Sequence, residues 1–579
     1  MKQDGRRPLP GMNGVTVQRD VPSRMRDGVT LFADVYRPAG EGPFPVILMR
    51  LPYDKTQAEN ITYSHPSWYA QHGYMVVVQD VRGCCQSEGG FIPFEHEAED
   101  GYDTIEWAAR LPGANGRVGM YGFSYAGATQ LMPATLRPPS LVTICPALTA
   151  SQYYEGWTYN QGALALAFTM SWSVDLATRE ARKAGDDAAV AQLAAAYVGM
   201  PGLNYWLPLN AFAPLSGPYG AYFQDWLAHP TYDDYWRRWS IDEDYGRLTV
   251  PALHVGGWYD IFLSGTVTNF TGMRVGAGSE SARAGQKLLI GPWTHMPWAP
   301  ESASSNGVEP TVVDDMQLRW FDQFLKGKET GVLDAPVSLF VMGAEEWRDY
   351  PDWPPPGATP EHWFLHSDGR ANSRFGDGTL SRQTPADEPP DVFTSDPLYP
   401  TPRPGGHSCC LDFVSPMGPA DQSRAEEFNS ILVYTGEPLP EPLELIGDVS
   451  VTLYAATSTR DADWAARLCE VSPDGRSINL QEGIVRARYR ESLSEPSLVE
   501  PDRVYCYEIA LGPVGVRIAA GNRLRVTISG SDFPQWDRNL NTGGDLFAEG
   551  PSTSVVATQT VLHTAEYPSH LTCSVMRGA

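Results

Sequence analysis

A serine hydroxyl is too weakly acidic to attack a carbonyl unaided, so a serine that does chemistry must stand with a base and an orienting carboxylate. Gly-x-Ser occurs four times in the chain, ending at Ser124, Ser408, Ser477 and Ser552. Only Ser124 follows an apolar strand-like run and precedes a helix-like stretch, in Val118-Gly119-Met120-Tyr121-Gly122-Phe123-Ser124-Tyr125-Ala126-Gly127. Small residues on both sides permit the sharp strand-to-helix turn that exposes Oγ. The usual pattern is G-x-S-x-G; here Ala126 takes the last place, with Gly127 one residue later.

Where such a serine ends a strand of an α/β sheet, the carboxylate and then the histidine follow at the ends of later strands. Asp260 follows Ala252-Leu253-His254-Val255 through Gly256-Gly257-Trp258-Tyr259. His295 follows Lys287-Leu288-Leu289-Ile290 through Gly291-Pro292-Trp293-Thr294. Of the eleven histidines, His295 alone has this placement; His254 lies inside its strand and reads as a core residue. A developing oxyanion needs two donors. One is the backbone N–H of Tyr125, the residue after the serine. The loop Arg50-Leu51-Pro52-Tyr53-Asp54-Lys55 has no glycine run to offer the second, and the phenol of Tyr53 is placed to replace it.

The elements that must hold these residues read as alternating strands and helices. Asp27-Gly28 between Val21–Met25 and Val29–Tyr36 marks a hairpin. Short unbroken apolar runs follow at Val46–Met49, Met75–Val78, Val118–Tyr121 and Leu141–Ile144, suited to strands covered on both faces. Glu97–Arg110 has helical spacing between them. From about Pro146 to Tyr245 such runs vanish and alanine with aromatics dominates, which predicts a helical insertion, with two helices over Leu164–Leu193 parted near Gly185. The sheet resumes at Ala252–Val255 and Lys287–Ile290. Tyr350-Pro351-Asp352-Trp353-Pro354-Pro355-Pro356-Gly357 is a boundary, and alternating stretches such as Ser450–Tyr454 and Leu524–Ser529 beyond it predict an antiparallel β-sandwich.

Composition narrows the function classes. The 579 residues carry 43 basic and 69 acidic side chains, a net charge of −26, which argues against nucleic acid or an anionic membrane surface as a partner. No apolar run is long enough to span a bilayer, and Met1–Pro8 has two arginines with no apolar stretch behind them, so no secretory signal is expected. The eight cysteines show no C-x-x-C, although Cys84-Cys85 and Cys409-Cys410 are adjacent; reduced, buried thiols are expected. Histidines and cysteines lack ligand spacing, so no metal site and no cofactor are expected.

Taken together, Pro52-Tyr53-Asp54-Lys55, Asp80-Val81-Arg82-Gly83, Gly122-Phe123-Ser124-Tyr125, Gly257-Trp258-Tyr259-Asp260 and Gly291-Pro292-Trp293-Thr294-His295 resemble the motifs of the cocaine esterase group, within the X-prolyl dipeptidyl peptidase-like serine hydrolases. Val341-Met342-Gly343, Glu346-Trp347-Arg348-Asp349, Arg538-Asn539, Asn541-Thr542-Gly543-Gly544 and Pro568-Ser569-His570 extend the resemblance along nearly the whole chain, in order. It implies an α/β-hydrolase core (residues 1–145 and 246–355), an inserted helical cap (146–245) and a C-terminal β jelly roll (356–579). Carried over, the triad becomes Ser124, His295 and Asp260, the oxyanion hole Tyr53 and Tyr125, and the pocket aromatics Trp157, Trp172 and Phe262. The Cys409-Cys410 pair stands about where the family has bulky apolar residues.

The implied activity is hydrolysis of a small-molecule carboxylic ester through an acyl-enzyme, in a cytoplasmic protein with a homodimer as a candidate assembly. The alternative within the superfamily is an amidase or acylamidase, an α-amino acid ester hydrolase or an X-prolyl dipeptidyl peptidase. Where such an enzyme reads a free ammonium it needs carboxylates at the pocket, and Asp233 and Asp234 are the nearest cap candidates. A non-catalytic, carbohydrate-binding module is the reading from a different class, and the intact Ser-Asp-His set argues against it.

Overall fold

The computed structural model describes residues 14–59, 62–295 and 311–577; the N-terminal segment read as lacking a secretory signal lies outside them. β1 (Thr16–Arg24) and β2 (Thr30–Arg37) form the expected hairpin, with Gly28 at φ 94° in its turn. β3 (Phe44–Leu51), β4 (Met75–Asp80), β5 (Ala114–Phe123) and β6 (Leu141–Ala147) follow, joined by α1 (Pro66–Gln71), α2 (Glu97–Ala109) and α3 (Tyr125–Ala134).

The insertion then begins with a two-stranded hairpin, β7 (Tyr159–Asn160) and β8 (Ala163–Leu164), which the alanine- and aromatic-rich composition does not announce. It continues with α4 (Leu166–Ala184), α5 (Asp187–Leu203), α6 (Tyr222–Ala228) and α7 (Asp234–Arg237). Gly185 caps α4 at φ 73°, the left-handed conformation that parts the two long helices. The chain returns to the sheet with β9 (Ala252–Tyr259), α8 (Leu263–Gly276), α9 (Glu280–Ala284), β10 (Gln286–Thr294), α10 (Val312–Lys326), β11 (Val337–Val341) and β12 (Glu346–Tyr350).

The core sheet has ten strands in the order β1-β2-β4-β3-β5-β6-β9-β10-β11-β12 and is parallel from β4 through β11. The unbroken apolar runs are explained by cover on both faces. Val46 and Leu48 pack with Ile105 and Leu131, whereas Ile47 and Met49 pack with Trp320 and Phe321. After β12 the chain enters an all-β domain whose eleven strands run from Ala358 to Met576 around a core that includes Trp464, Leu468 and Ile528. It packs closely on the hydrolase core: Met342 N–H donates to Gly515 O at 3.0 Å, and a Cβ at Gly515 would lie 2.2 Å from the Trp258 ring.

The cysteine expectation needs correction. Cys409 and Cys410 are joined to each other, and Cys85 and Cys506 are exposed, leaving Cys84, Cys145, Cys469 and Cys573 as the buried free thiols. Rules built on spaced pairs do not consider two sulfurs on neighbouring residues, which the chain itself keeps within reach.

His254 is the core residue expected. It is 1% exposed on β9, its Nε2 is 2.8 Å from Gln286 Oε1, and burial pushes its pKa down to about 4. Its folded pKa is therefore below the unfolded value near 6.5. The associated stability is present above pH 6.5 and is lost as pH falls through about 4, a contribution of about 3 kcal/mol. Denaturant unfolding followed from pH 7 to pH 4.5 should show His254→Gln losing about 2–3 kcal/mol less than wild type over that interval. Equal losses would place the acid-sensitive group elsewhere.

Candidate active site

Ser124 joins β5 to α3 with φ 61° and ψ −127°, a conformation that an L-residue adopts only when its surroundings impose it. They do so by close approach. Gly122 sits at φ 142°, and a Cβ there would lie 2.7 Å from Ala126 Cβ; one at Gly127 would lie 2.7 Å from Thr149 Cβ. Ala126 therefore performs the small-residue role of the usual terminal glycine without a left-handed backbone. Ser124 N–H is tied to Ala147 O at 2.9 Å, and Gln130 Nε2 donates to Gly122 O and Ala126 O at 3.0 and 2.8 Å.

Behind the turn lies a buried polar network. The Tyr125 hydroxyl donates to Glu97 Oε1 at 2.9 Å and accepts from Phe94 N–H at 2.9 Å; Glu97 pairs with Arg50 at 2.8 Å. Burial raises the Glu97 carboxyl pKa, and Arg50 opposes that shift. The network fixes the first residue of α3 and so the direction of its N–H groups. Tyr125 is the first residue of that helix, where backbone N–H groups have no intrahelical acceptor.

The other strand ends bring their side chains to the serine. His295 Nε2 lies 3.0 Å from Ser124 Oγ, and His295 Nδ1 lies 2.7 Å from Asp260 Oδ1. An ionised Asp260 accepts, so Nδ1 carries the hydrogen and Nε2 presents its lone pair to the serine. Asp260 and His295 are each 1% exposed and Ser124 is 7% exposed, which shields the line from bulk water. Phe262 packs its ring edge-on to His295 with centroids 5.1 Å apart. The arrangement can move a proton from Ser124 to the imidazole while Asp260 holds the tautomer.

Tyr53 lines the same cavity as Ser124. Its hydroxyl accepts from Trp172 Nε1 at 3.1 Å, leaving its own hydrogen to donate, and it is within hydrogen-bonding reach of Ser124. Burial pushes its phenol pKa well up, so it stays a donor through the alkaline range. Arg179 Nη1 holds the Tyr53 carbonyl at 3.0 Å.

Ser124 and His295 open on a cavity of about 220 Å³ with mostly apolar walls, including Met49, Leu51, Tyr63, Phe123, Trp172 and Leu411. Of the three expected pocket aromatics, Trp172 lines it. Trp157 and Phe262 do not: they stack on each other at 4.2 Å and 11°, Trp157 against the edge of Trp172 and Phe262 beneath His295. Asp233 and Asp234 are also elsewhere. Asp233 caps α7 and is 2.7 Å from His229 Nδ1, and Asp234 is exposed beside Arg237.

The carboxylate that does reach the cavity is Asp175, to which Arg179 Nε donates at 2.9 Å. Trp172, Asp175 and Arg179 are spaced i, i+3 and i+7 on α4, one helix face, so the aromatic at Trp172 already pointed to both. Cys410 and Leu411 reach the cavity from the β-domain, a contact between distant parts of the chain that no local pattern announces. His295, Cys409 and Cys410 also come together, their donor atoms all within 4.8 Å of one another, although their sequence spacing suggests no ligand set.

Comparison with known proteins bears on the family and the fold. Residues 27–297 match the family described as X-Pro dipeptidyl-peptidase (S15 family), and residues 330–572 match the X-Pro dipeptidyl-peptidase C-terminal non-catalytic domain. The chain is 35% identical to the cocaine esterase of Rhodococcus sp. (strain MB1 Bresler) over 577 residues, covering 97% of this chain and 99% of that one. Among solved structures it superposes on an aminopeptidase from a marine sediment Thaumarchaeota archaeon with a TM-score of 0.80 at 27% identity, covering 100% and 98% of the two chains. An α-amino acid ester hydrolase shares the fold at a TM-score of 0.77 and 24% identity, covering 99% and 98%.

The hydrogen-bond line makes a specific prediction. Asp260→Asn would offer an N–H donor to Nδ1, moving the imidazole hydrogen to Nε2, where the serine needs an acceptor. The expected result is a fall of about 10⁴ in kcat with the fold intact by circular dichroism. A variant within tenfold of wild type would show that Asp260 does not set the tautomer.

Proposed function

The chain belongs to the cocaine esterase-like serine hydrolases of the X-Pro dipeptidyl-peptidase S15 family, which makes it a serine carboxylic ester hydrolase, and we propose that Ser124, His295 and Asp260 are its catalytic triad. The observation that carries the assignment is the continuous line from Asp260 through His295 to Ser124, at 2.7 and 3.0 Å, opening on an apolar cavity. His295 takes the Ser124 proton as Oγ attacks the ester carbonyl, and Asp260 stabilises the imidazolium. The carbonyl oxygen, now negative, is received by Tyr53 O–H and Tyr125 N–H, each worth about 3–4 kcal/mol at the transition state. His295 then protonates the departing alcohol, and water attacks the acyl-enzyme by the reverse steps.

Shape and polarity support a small ester with an apolar group against Trp172, Leu51 and Phe123. The only carboxylate that lines the cavity among the described residues is Asp175, whose negative charge Arg179 already meets. The cavity therefore favours an ester without a free α-ammonium over an aminoacyl substrate, the requirement of an α-amino acid ester hydrolase or an X-prolyl dipeptidyl peptidase. A cytoplasmic location and a homodimer belong to the same proposed reading; among the described residues no helix is long and apolar enough to cross a membrane.

Rates on an aryl ester and its isosteric anilide, each with and without an α-amino group on the acyl side, test this reading. The ester should turn over well whether or not the amino group is present, the anilide slowly, and Ser124→Ala should cost about 10⁶ in kcat. Rates that rise sharply with the amino group, or that match on the anilide, would transfer the assignment to the aminoacyl or amidase reading.

A further inference from the structure

The β-domain side of the cavity wall contains a feature that ester hydrolysis does not use. Cys409 and Cys410 are neighbours in sequence; Cys409 is 2% exposed and Cys410 faces the cavity beside Ser124 and His295. Their segment is docked on the catalytic strand end, because Ser408 forms a parallel bridge with Asp260. The contact that positions the carboxylate thus also positions the two sulfurs.

When a phosphine supplies two electrons, the S–S bond breaks and water gives its oxygen to the phosphine oxide and its two protons to the sulfurs; a dithiol instead gives up its two thiol protons and becomes a disulfide. In the disulfide-bonded form the two sulfurs and the imidazole already lie within 4.8 Å of one another, so reduction leaves three donors at one place. A tetrahedral Zn²⁺-class ion bonded at about 2.3 Å to sulfur and about 2.0 Å to nitrogen spaces its ligand atoms about 3.5–3.8 Å apart, so the two freed sulfurs must rotate apart about their side-chain bonds to receive it. Thiolates with imidazole select soft and borderline metals over Mg²⁺ or Ca²⁺. The net charge of −26 favours the approach of a cation. A second cluster, Asp54, Asp80 and Cys85, lacks this opening because Lys55 Nζ already lies 3.1 Å from Asp80 Oδ2.

We propose that reduced Cys409 and Cys410, with His295, form a binding site for a soft divalent cation of the Zn²⁺ or Cd²⁺ class, and that its occupancy silences the esterase. Binding releases the two thiol protons as the metal–sulfur bonds form. The metal takes the Nε2 lone pair of His295, since Nδ1 is committed to Asp260, and Ser124 loses its base. In the disulfide form neither sulfur is a thiolate and the site does not exist. The pair thereby makes the enzyme's metal sensitivity conditional on thiol reduction. The inhibition rests on the triad reading; the metal site does not.

The test is a titration of the full-length protein with CdCl₂ after reduction by a phosphine and removal of the reductant. Reduced wild type should develop thiolate-to-cadmium charge-transfer absorbance beyond that of a Cys409→Ser/Cys410→Ser variant, which corrects for the other cysteines. Its ester turnover should fall about 10²-fold or more and return on chelation with EDTA. Unreduced wild type and the double variant, each compared with its own metal-free rate, should keep most of theirs. Absence of the extra absorbance would overturn the site whether or not the ester is hydrolysed. Absorbance with undiminished turnover would remove His295 from it, and equal inhibition of the double variant would place the inhibiting metal elsewhere.

Discussion

The backbone at Ser124 is the constraint on which the site depends. A residue held at φ 61° and ψ −127° is strained by about 1–3 kcal/mol, and it stays there because two close approaches leave it no alternative. Gly122 and Ala126 meet across the turn, and Gly127 meets Thr149. The strain lifts Oγ clear of the sheet and places the first N–H of α3 beside it, so the proposed nucleophile and the proposed oxyanion donor come from one local event. The Arg50–Glu97–Tyr125 network braces that event from behind.

The remaining parts arrive by topology. Parallel strands all point their carboxyl ends the same way, so β5, β9 and β10 deliver Ser124, Asp260 and His295 to one edge without any of them being close in sequence. The cap contributes Trp172, whose indole orients Tyr53, and the β-domain closes the cavity with Cys410 and Leu411. Three regions of the chain are thus needed to make one pocket. Close packing of Gly515 on Trp258 keeps the β-domain in position to do so.

What the sequence discloses follows from the range of the forces involved. The hairpin at Asp27-Gly28, the break at Gly185 and the two-sided strands depend on local chemistry and were legible. So was the juxtaposition of Ser124, Asp260 and His295, because a residue just past an apolar run sits at a strand end. The location of Trp157 and Phe262 behind the pocket wall was not legible, since which side of a wall an aromatic occupies is decided by tertiary packing. Asp233 is adjacent to no strand end; its carboxylate caps α7 by accepting from the Tyr235 N–H at 3.0 Å. The nearness of Cys409-Cys410 to His295 spans more than a hundred residues, and no spacing rule reaches that far.

Three strand ends, in this account of the molecule, activate one serine. Reaction of the native protein with a fluorophosphonate, followed by mass spectrometry of the peptides, identifies the activated residue. A single adduct on Ser124, formed in step with the loss of ester turnover, is the predicted result. An unlabelled Ser124 in an enzyme that still hydrolyses esters, or inactivation tracking an adduct on another residue, would contradict it.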